Sequence, residues 1–225
     1  MPRAPRSRPV LRREDLGAAL RRASAPVPRA AGAAADDLAV AGLTPLSTVD
    51  WPGRLVATVF LQGCPWRCTY CHNPGLLDPR RPGAVPWSDV RDLLARRRGL
   101  LDAVVFSGGE PTRQAGLAAA MREVRAAGMA VGLHTGGAFP RRLAAVLPLV
   151  DRVFLDVKAP PRLYRAVTRA GGPATSAHAA FRSLRLVLAS GVAVQVRTTV
   201  DPTVLAQADL DELRGLLRAA GVREG

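Results

Sequence analysis

Short apolar runs alternate with amphipathic segments from residue 39 to the end of the chain. Each run has the length of a buried strand, and each amphipathic segment has the spacing of a helix that buries one face. The pattern predicts strands at 55–61, 103–106, 129–133, 153–157 and 192–200. It predicts helices at 88–98, 114–127, 140–148, 176–189 and 207–220. Strands and helices in strict alternation are typical of a parallel α/β sheet or barrel.

Residues 1–38 follow a different pattern, rich in Ala, Arg and Pro and without apolar periodicity. A segment of this composition cannot bury enough apolar surface to fold alone. We therefore predict a disordered basic tail over residues 1–38 and one core domain over residues 39–225. Two explanations of the tail remain open, a start codon assigned too early and a basic docking arm.

Hydrophobic residues make up 48% of the 225 positions, which suffices for one sizeable core. No apolar run approaches the roughly 20 residues that span a bilayer. The basic N-terminus is not followed by the apolar stretch of a signal peptide. The sequence thus disfavours a secreted protein and a membrane partner.

The formal net charge is +14, which on its own would suggest a nucleic-acid partner. However, Lys158 is the sole lysine among 32 cationic residues, Asn73 is the sole asparagine, and isoleucine is absent. These features indicate a coding bias against A/T-rich codons. Much of the arginine then stands in place of lysine, and the high net charge says little about which ligand the protein binds. A nucleic-acid partner is disfavoured, and Lys158 becomes informative because its type is rare here.

All three cysteines, Cys64, Cys68 and Cys71, fall within eight residues. An odd and clustered set is a poor disulfide framework, whereas neighbouring thiolates usually hold a metal or a cluster in a reducing cytoplasm. One interpretation is three corners of a cubic iron–sulfur cluster, with the fourth iron open to a small molecule. The other is a zinc site with His72 as fourth ligand, although His72 directly follows Cys71, which makes simultaneous ligation awkward. Three unligated thiols are not expected at this spacing.

Chemically active residues follow the predicted strands, at the ends where α/β folds place their sites. The cysteines follow the first strand. Later strands end in further candidates, which are Gly108, Gly109, Glu110, His134, Thr135, Asp156, Lys158 and Arg197. Because the carboxyl ends of parallel strands meet at one edge, we expect a single site there.

The Cys-x₃-Cys-x₂-Cys spacing, with Tyr70 before the last cysteine, resembles the signature of the radical SAM enzymes. Further segments are similar to the activases of glycyl radical enzymes, most closely the anaerobic ribonucleoside-triphosphate reductase activating proteins. They are STVDWPG at 47–53, VFLQGC at 59–64, YCHNP at 70–74, VFSGGEPT at 105–112, LDVKAP at 155–160 and RTTV at 197–200. The resemblance covers roughly residues 40–220.

The resemblance implies a partial (β/α) barrel and two cofactors, a [4Fe–4S] cluster and S-adenosylmethionine (SAM). The cluster would cleave SAM reductively to a 5′-deoxyadenosyl radical, which would take a hydrogen from a glycine of the reductase. Flavodoxin or ferredoxin would supply the electron. The family has six strands where the pattern gives five, so we expect a truncated C-terminus or a sixth strand missing there.

The resemblance also assigns roles, with Cys64, Cys68 and Cys71 as cluster ligands and Lys158 as a catalytic group. The SAM site would be lined by Tyr70, His72, Gly108, Gly109, Glu110, His134, Thr135, Asp156, Lys158 and Arg197. The two glycines would allow the backbone to approach the methionyl group closely. Asp156 with Lys158, and Arg197, could instead form ordinary ion pairs.

The third strand departs from the family, whose Asp-Thr-Asn-Gly is replaced here by His134-Thr135-Gly136-Gly137. The family's Asp helps to hold the cofactor, so His134 is either its substitute or an ordinary histidine at a strand end. Three rival functions stay open. They are a radical SAM enzyme acting on a small molecule, a zinc-binding nucleic-acid-associated protein, and a scaffold that has lost catalysis.

Overall fold

The computed structural model describes residues 33–170 and 175–223, which form a six-stranded sheet with helices. The strands are β1 (Val40–Ser47), β2 (Val56–Leu61), β3 (Ala103–Gly108), β4 (Ala130–Thr135), β5 (Arg152–Asp156) and β6 (Ala193–Arg197). The helices are α1 (Trp87–Arg96), α2 (Leu117–Ala126), α3 (Pro140–Val146), α4 (Tyr164–Thr168), α5 (Thr175–Ser190) and α6 (Gln207–Ala219).

The strands lie in the order β1-β2-β3-β4-β5-β6, so each strand pairs with its neighbours along the chain. Strands β2 to β6 are parallel, and β1 pairs with β2 in the antiparallel sense. Parallel strands need crossovers, which the helices supply. All carboxyl ends of β2 to β6 therefore meet at one edge.

Alternate residues along each strand enter two separate apolar clusters. The outer face of the sheet packs on the helices and builds the main core, where Val59, Phe106 and Leu133 are fully buried. The inner face carries a smaller cluster of Trp51, Val56, Ala103, Val105 and Phe154. The helices thus cover one face, and the inner face is left to frame a site.

The predicted α/β partial barrel is confirmed, with each predicted strand and helix present within a few residues except at two ends. Strand β6 ends at Arg197, short of the predicted residue 200, and α2 begins after a 3₁₀ turn at Pro111–Arg113. The pattern missed α4 and β1. Strand β1 contains Gly42 and Pro45 and pairs irregularly with β2, so its sequence lacks a strand signature.

The sixth strand of the sheet is therefore β1, at the edge opposite β6, and it precedes the predicted five. Residues 198–223 contain no further strand. The five parallel strands are those predicted, and the antiparallel β1 adds a sixth strand that the sequence pattern did not predict.

The boundary of the predicted tail at residue 38 falls within the structured part. Residues 33–38 include a short 3₁₀ turn at Ala35–Asp37, and Ala35 and Leu38 are buried in the main core. Residues 1–32 lie outside the described residues, so the tail stays a prediction for them. Within the part of the chain that is described, no helix combines the length and apolarity needed to cross a membrane.

Candidate active site

The cysteine loop (residues 64–71) leaves β2 through Gly63, whose φ of +93° favours glycine. Backbone hydrogen bonds fix the loop at both ends. The N–H of Cys64 donates to the carbonyl of Leu77 at 3.1 Å, and the N–H of Thr69 donates to the carbonyl of Val167 at 3.0 Å. The loop is therefore held against α4 and is built to keep one conformation.

The three thiols are free and half-buried. Burial raises the pKa of Cys64 to about 12 and also raises the pKa of Cys68. Both thiols are therefore protonated at neutral pH without a ligand, and binding of a metal centre would have to release their protons.

Trp66, inside the cysteine loop, is a residue that the sequence analysis missed. It is 5% exposed, packs edge-to-face on Tyr164 at 5.8 Å, and has the ammonium of Lys158 5.9 Å above its ring. A Cβ at Gly136 would collide with the same ring. Trp66 thus ties the cysteine loop to the ends of β4 and β5. Its position within the cysteine motif was the available signal.

Gly108 and Gly109 end β3 beside the cysteine loop. A Cβ on Gly108 would collide with the backbone of Leu61, and one on Gly109 would lie 2.5 Å from the carbonyl oxygen of Gly63. Packing of β3 against β2 and Gly63 is therefore enough to require both glycines. Packing alone explains why both positions are glycine. Both residues line the cavity, so their contact with a cofactor stays a prediction.

Glu110 is 2% exposed and accepts four hydrogen bonds from neutral groups. Its Oε1 accepts from the N–H and hydroxyl of Thr112 at 3.1 and 2.5 Å and from the hydroxyl of Thr135 at 2.7 Å. Its Oε2 accepts from the N–H of Gly136 at 3.0 Å. A buried carboxylate without a cation is stable only when hydrogen bonds satisfy it, as they do here. Glu110 therefore fastens the end of β3 to the end of β4.

Asp156 ends β5 and lies between two cations. Its Oδ2 is 3.6 Å from the ammonium of Lys158, and its Oδ1 is 3.3 Å from Nε of Arg197 across the β5–β6 pair. Burial by itself lowers the pKa of Lys158, but Asp156 and neighbouring groups raise the pKa by more, so Lys158 stays charged. Two cations share one carboxylate, which leaves positive charge for an anionic ligand.

His134 ends β4, packs on Phe154 at 4.6 Å and lies 2.9 Å from the carbonyl oxygen of Asp50 through Nε2. A carbonyl only accepts, so Nε2 carries the proton. Burial, followed by the charge of Arg197, lowers the pKa of His134, which favours the neutral ring. Nδ1 can then accept a hydrogen bond, but the neutral ring lacks the negative charge that the family's Asp carries at this position.

All thirteen predicted site residues line one cavity at the carboxyl edge of the sheet. They are Cys64, Cys68, Tyr70, Cys71, His72, Gly108, Gly109, Glu110, His134, Thr135, Asp156, Lys158 and Arg197. Further lining residues are Trp66, Asn73, Leu77, Ser107, Gly136 and Thr199. The predicted site residues therefore meet in a single site at the carboxyl ends of the strands, as expected from the strand order.

The three cysteine thiols are the candidate ligands of a metal centre in the cavity. Three free thiols in one fixed loop match the donor set of an iron–sulfur cluster. Among residues 33–170 and 175–223, no three His, Cys, Asp or Glu side chains are grouped to hold a single metal ion. A four-iron cluster binds each thiolate through a different iron, so its ligands need not surround a single ion.

Comparison with known proteins places the chain in a family. Residues 58–219 match the model of the radical SAM superfamily. A Methanocaldococcus jannaschii protein, provisionally named a glycyl-radical enzyme activating enzyme, is 30% identical over 77% of this chain and 73% of its own length. The Listeria monocytogenes pyruvate formate-lyase-activating enzyme is 32% identical over 57% of each chain, and pyruvate formate-lyase 1-activating enzyme of Escherichia coli K12 is 36% identical over 49% and 48%.

Solved structures share the fold at low sequence identity. Native anSMEcpe with bound AdoMet has a TM-score of 0.56 and 18% identity, over 70% of this chain and 47% of its own. Streptococcus suis SuiB bound to S-adenosylmethionine has a TM-score of 0.53 and 14% identity, over 75% and 36%. The chain therefore spans about half or less of these two proteins.

This chain belongs to the radical SAM superfamily and, within it, to the group of glycyl-radical enzyme activating enzymes. The superfamily's cofactors, a [4Fe–4S] cluster and SAM, are accordingly those of this chain, and Cys64, Cys68 and Cys71 supply the cysteine motif. The alignments span about half the length of the Listeria and E. coli enzymes.

Proposed function

We propose that the protein activates anaerobic ribonucleoside-triphosphate reductase by installing a glycyl radical on it. The supporting observation is the position of segment 47–53, whose sequence resembles this subgroup of activases. Asp50 accepts hydrogen bonds from Thr58 at 2.7 Å and from His134 at 2.9 Å, and Trp51 packs on Phe154 at 5.9 Å. The segment thus packs on the inner face of the sheet, and Asp50 holds His134 in the wall of the cavity.

When bound, the cluster and SAM supply a 5′-deoxyadenosyl radical that removes hydrogen from the target glycine. Cys64, Cys68 and Cys71 would hold the cluster. Lys158 and Arg197 would bind the carboxylate of SAM, because they offer the positive charge that Asp156 does not neutralise. Asp156 would keep both cations in place and accept from the ribose.

The remaining lining residues would position these groups. Glu110 and Thr135 would keep the ends of β3 and β4 together through their hydrogen bonds. Tyr70 would hold Lys158, whose ammonium lies 5.5 Å above its ring. His72 directly follows the last cysteine and is exposed at the mouth of the cavity.

The end of β4 would bind the cofactor differently from the corresponding segment of the family. Nδ1 of His134 would accept a hydrogen bond where the family's carboxylate contributes a charge. Gly136 stands where the family has asparagine, and its lack of a side chain leaves room for the ring of Trp66. We expect the resulting loss of a contact to weaken SAM binding without removing it.

The proposed reaction also defines partners and a compartment. The target is a protein whose glycine reaches the cavity, and the electron donor is flavodoxin or ferredoxin. A cluster held by three thiols requires reducing conditions, so we place the reaction in the cytoplasm.

The test is transfer of the radical to purified anaerobic ribonucleotide reductase. Reconstituted protein, SAM and reduced flavodoxin are mixed with the reductase under anaerobic conditions, and electron paramagnetic resonance detects the glycyl radical. We expect a signal on the reductase that is absent with Cys68→Ala. SAM cleavage without a radical on any protein would instead favour a small-molecule substrate.

A second candidate target is pyruvate formate-lyase, because the Listeria and E. coli relatives bear that name. The same mixture with pyruvate formate-lyase in place of the reductase separates the two. A radical on pyruvate formate-lyase and none on the reductase would transfer the assignment to this enzyme.

A further inference from the structure

A shallow depression on α4 and the turns that flank it is lined by Arg162, Arg165, Ala166 and Arg169. Arg162 forms ion pairs with Asp209 and with Glu212 on α6. Arg165 and Arg169 are exposed and form no ion pair with any residue in the described ranges. Like charges repel, so this arrangement favours an anionic occupant.

The depression is directly connected to the cysteine loop. The carbonyl of Thr168, the last residue of α4, accepts from the N–H of Arg67 at 2.8 Å. Arg67 lies between Cys64 and Cys68, is exposed, and forms no ion pair within the described part of the chain. Arg67, Arg165 and Arg169 therefore place three exposed charges around the back of the loop, outside the cavity. Arg169 is partly compensated by the carboxylate of Asp201, whose pKa it helps to lower. We call these three residues the loop arginines.

The coding bias accounts for the number of arginines in this chain but not for their position. Some exposed arginines elsewhere form ion pairs, as Arg80 does with Asp78 and Arg125 with Asp151, whereas Arg96 and Arg98 form none within the described residues. The loop arginines are distinguished by their place. Arg67 lies within the cysteine loop, and Arg165 and Arg169 lie on the segment whose carbonyls accept the loop's backbone hydrogen bonds.

We propose that the loop arginines dock an acidic electron-donor protein. This inference rests on the proposed function, in which each turnover takes one electron from outside. One electron leaves the donor's redox group and enters the centre held by the cysteine loop, and no bond or proton is exchanged. Complementary charge speeds such an encounter and orients the donor, and salt screens the effect.

Phosphates of a nucleic acid would be attracted by the same charges. The lining of the depression contains no aromatic side chain on which a base could stack. The depression also adjoins the cysteine loop, where an electron would have to enter under the proposed function. These two observations favour the donor protein.

The test compares two double variants that lose equal charge. Arg165→Ser/Arg169→Asn removes two loop arginines, and asparagine suits the left-handed conformation of Arg169, whose φ is +49°. The control is Arg96→Ser/Arg98→Ser, because both residues are exposed in the segment that enters the amino end of β3, away from the cysteine loop. The visible absorption of the reconstituted cluster verifies that each variant is loaded.

Two measurements are made on each protein with flavodoxin as the probe, the dissociation constant and the rate of electron transfer. We expect the loop variant to raise the dissociation constant and lower the rate about tenfold at low salt. The difference should vanish in 1 M salt, where the screening length is about 3 Å. Reduction by dithionite should be equal in all three proteins.

Unchanged flavodoxin binding in the loop variant, or an equal loss in the control, would overturn the proposal. So would loss of affinity for a DNA oligonucleotide with flavodoxin affinity retained. Failure of the proposed function would look different, because dithionite-reduced wild-type protein with SAM would then place no glycyl radical on the reductase. The binding constants would still decide the docking surface in that case.

Discussion

On the β3–β4 side of the cavity, Glu110 accepts four hydrogen bonds from neutral groups, whereas on the β5–β6 side Asp156 is shared between Lys158 and Arg197 at 3.6 and 3.3 Å. The first carboxylate has all its partners within the protein. The second leaves one positive charge uncompensated. The comparison separates a side that holds the fold together from a side that can bind a ligand.

The largest effect on stability is expected from Glu110→Ala. It leaves four donors at the ends of β3 and β4 without an acceptor in a buried site. We expect the free energy of unfolding to fall by about 3 kcal/mol, measured by urea denaturation. Glu110→Gln keeps one oxygen but turns an amide toward the N–H of Gly136, so its loss should be smaller. Equal stability of Glu110→Ala and wild type would contradict the structural role of this side.

Lys158→Ala tests the opposite side. Removing the cation proposed to bind the carboxylate of SAM should lower kcat/KM for SAM cleavage about 100-fold. The absorption of the cluster should not change, because Lys158 is not a ligand. The measurement is 5′-deoxyadenosine formation with dithionite as reductant. A fully active variant would refute the assignment of Lys158.

Gly109→Ala distinguishes packing from cofactor access on the β3 side. The added methyl group would lie 2.5 Å from the carbonyl oxygen of Gly63, so we expect a loss of about 2 kcal/mol even without cofactors. Gly215→Ala, in α6 with open space around it, is the matched control and should stabilise by a few tenths to about 1 kcal/mol. Normal stability of Gly109→Ala in the apoprotein would return the glycine to a cofactor role.

Arg197→Gln should have the smallest effect on stability, since partly exposed ion pairs contribute about 0.5 kcal/mol. Its consequence should instead appear as weaker SAM binding, measured by calorimetry on the reconstituted protein. An unfolding loss as large as that of Glu110→Ala would erase the contrast between the two sides.

Much of the fold follows from periodicity, because β2 to β6 are buried strands with helices between them. Strand β1 was missed because Gly42 and Pro45 interrupt its pattern and its partner is antiparallel. The short α4 was missed because five residues carry too little periodicity. Both depend on tertiary contacts, namely pairing with β2 and packing beneath the cysteine loop.

The site was predicted as a set, since strand order alone brings its residues to one edge. Individual roles were harder to predict. The need for Gly108 and Gly109 comes from the backbones of Leu61 and Gly63, which lie more than 40 residues earlier in the sequence. Trp66 could have been singled out by its place in the cysteine motif. Its contacts with Gly136 and Lys158, which are distant in sequence, could not be predicted from a local pattern.

The central claim is that the cysteine loop holds a cluster that cleaves SAM. The most direct test is anaerobic reconstitution with iron and sulfide, then reduction with SAM present and assay for 5′-deoxyadenosine. We predict a brown protein whose product formation is lost in Cys64→Ala, in Cys68→Ala and in Cys71→Ala. A colourless protein that retains zinc and forms no product would contradict the claim.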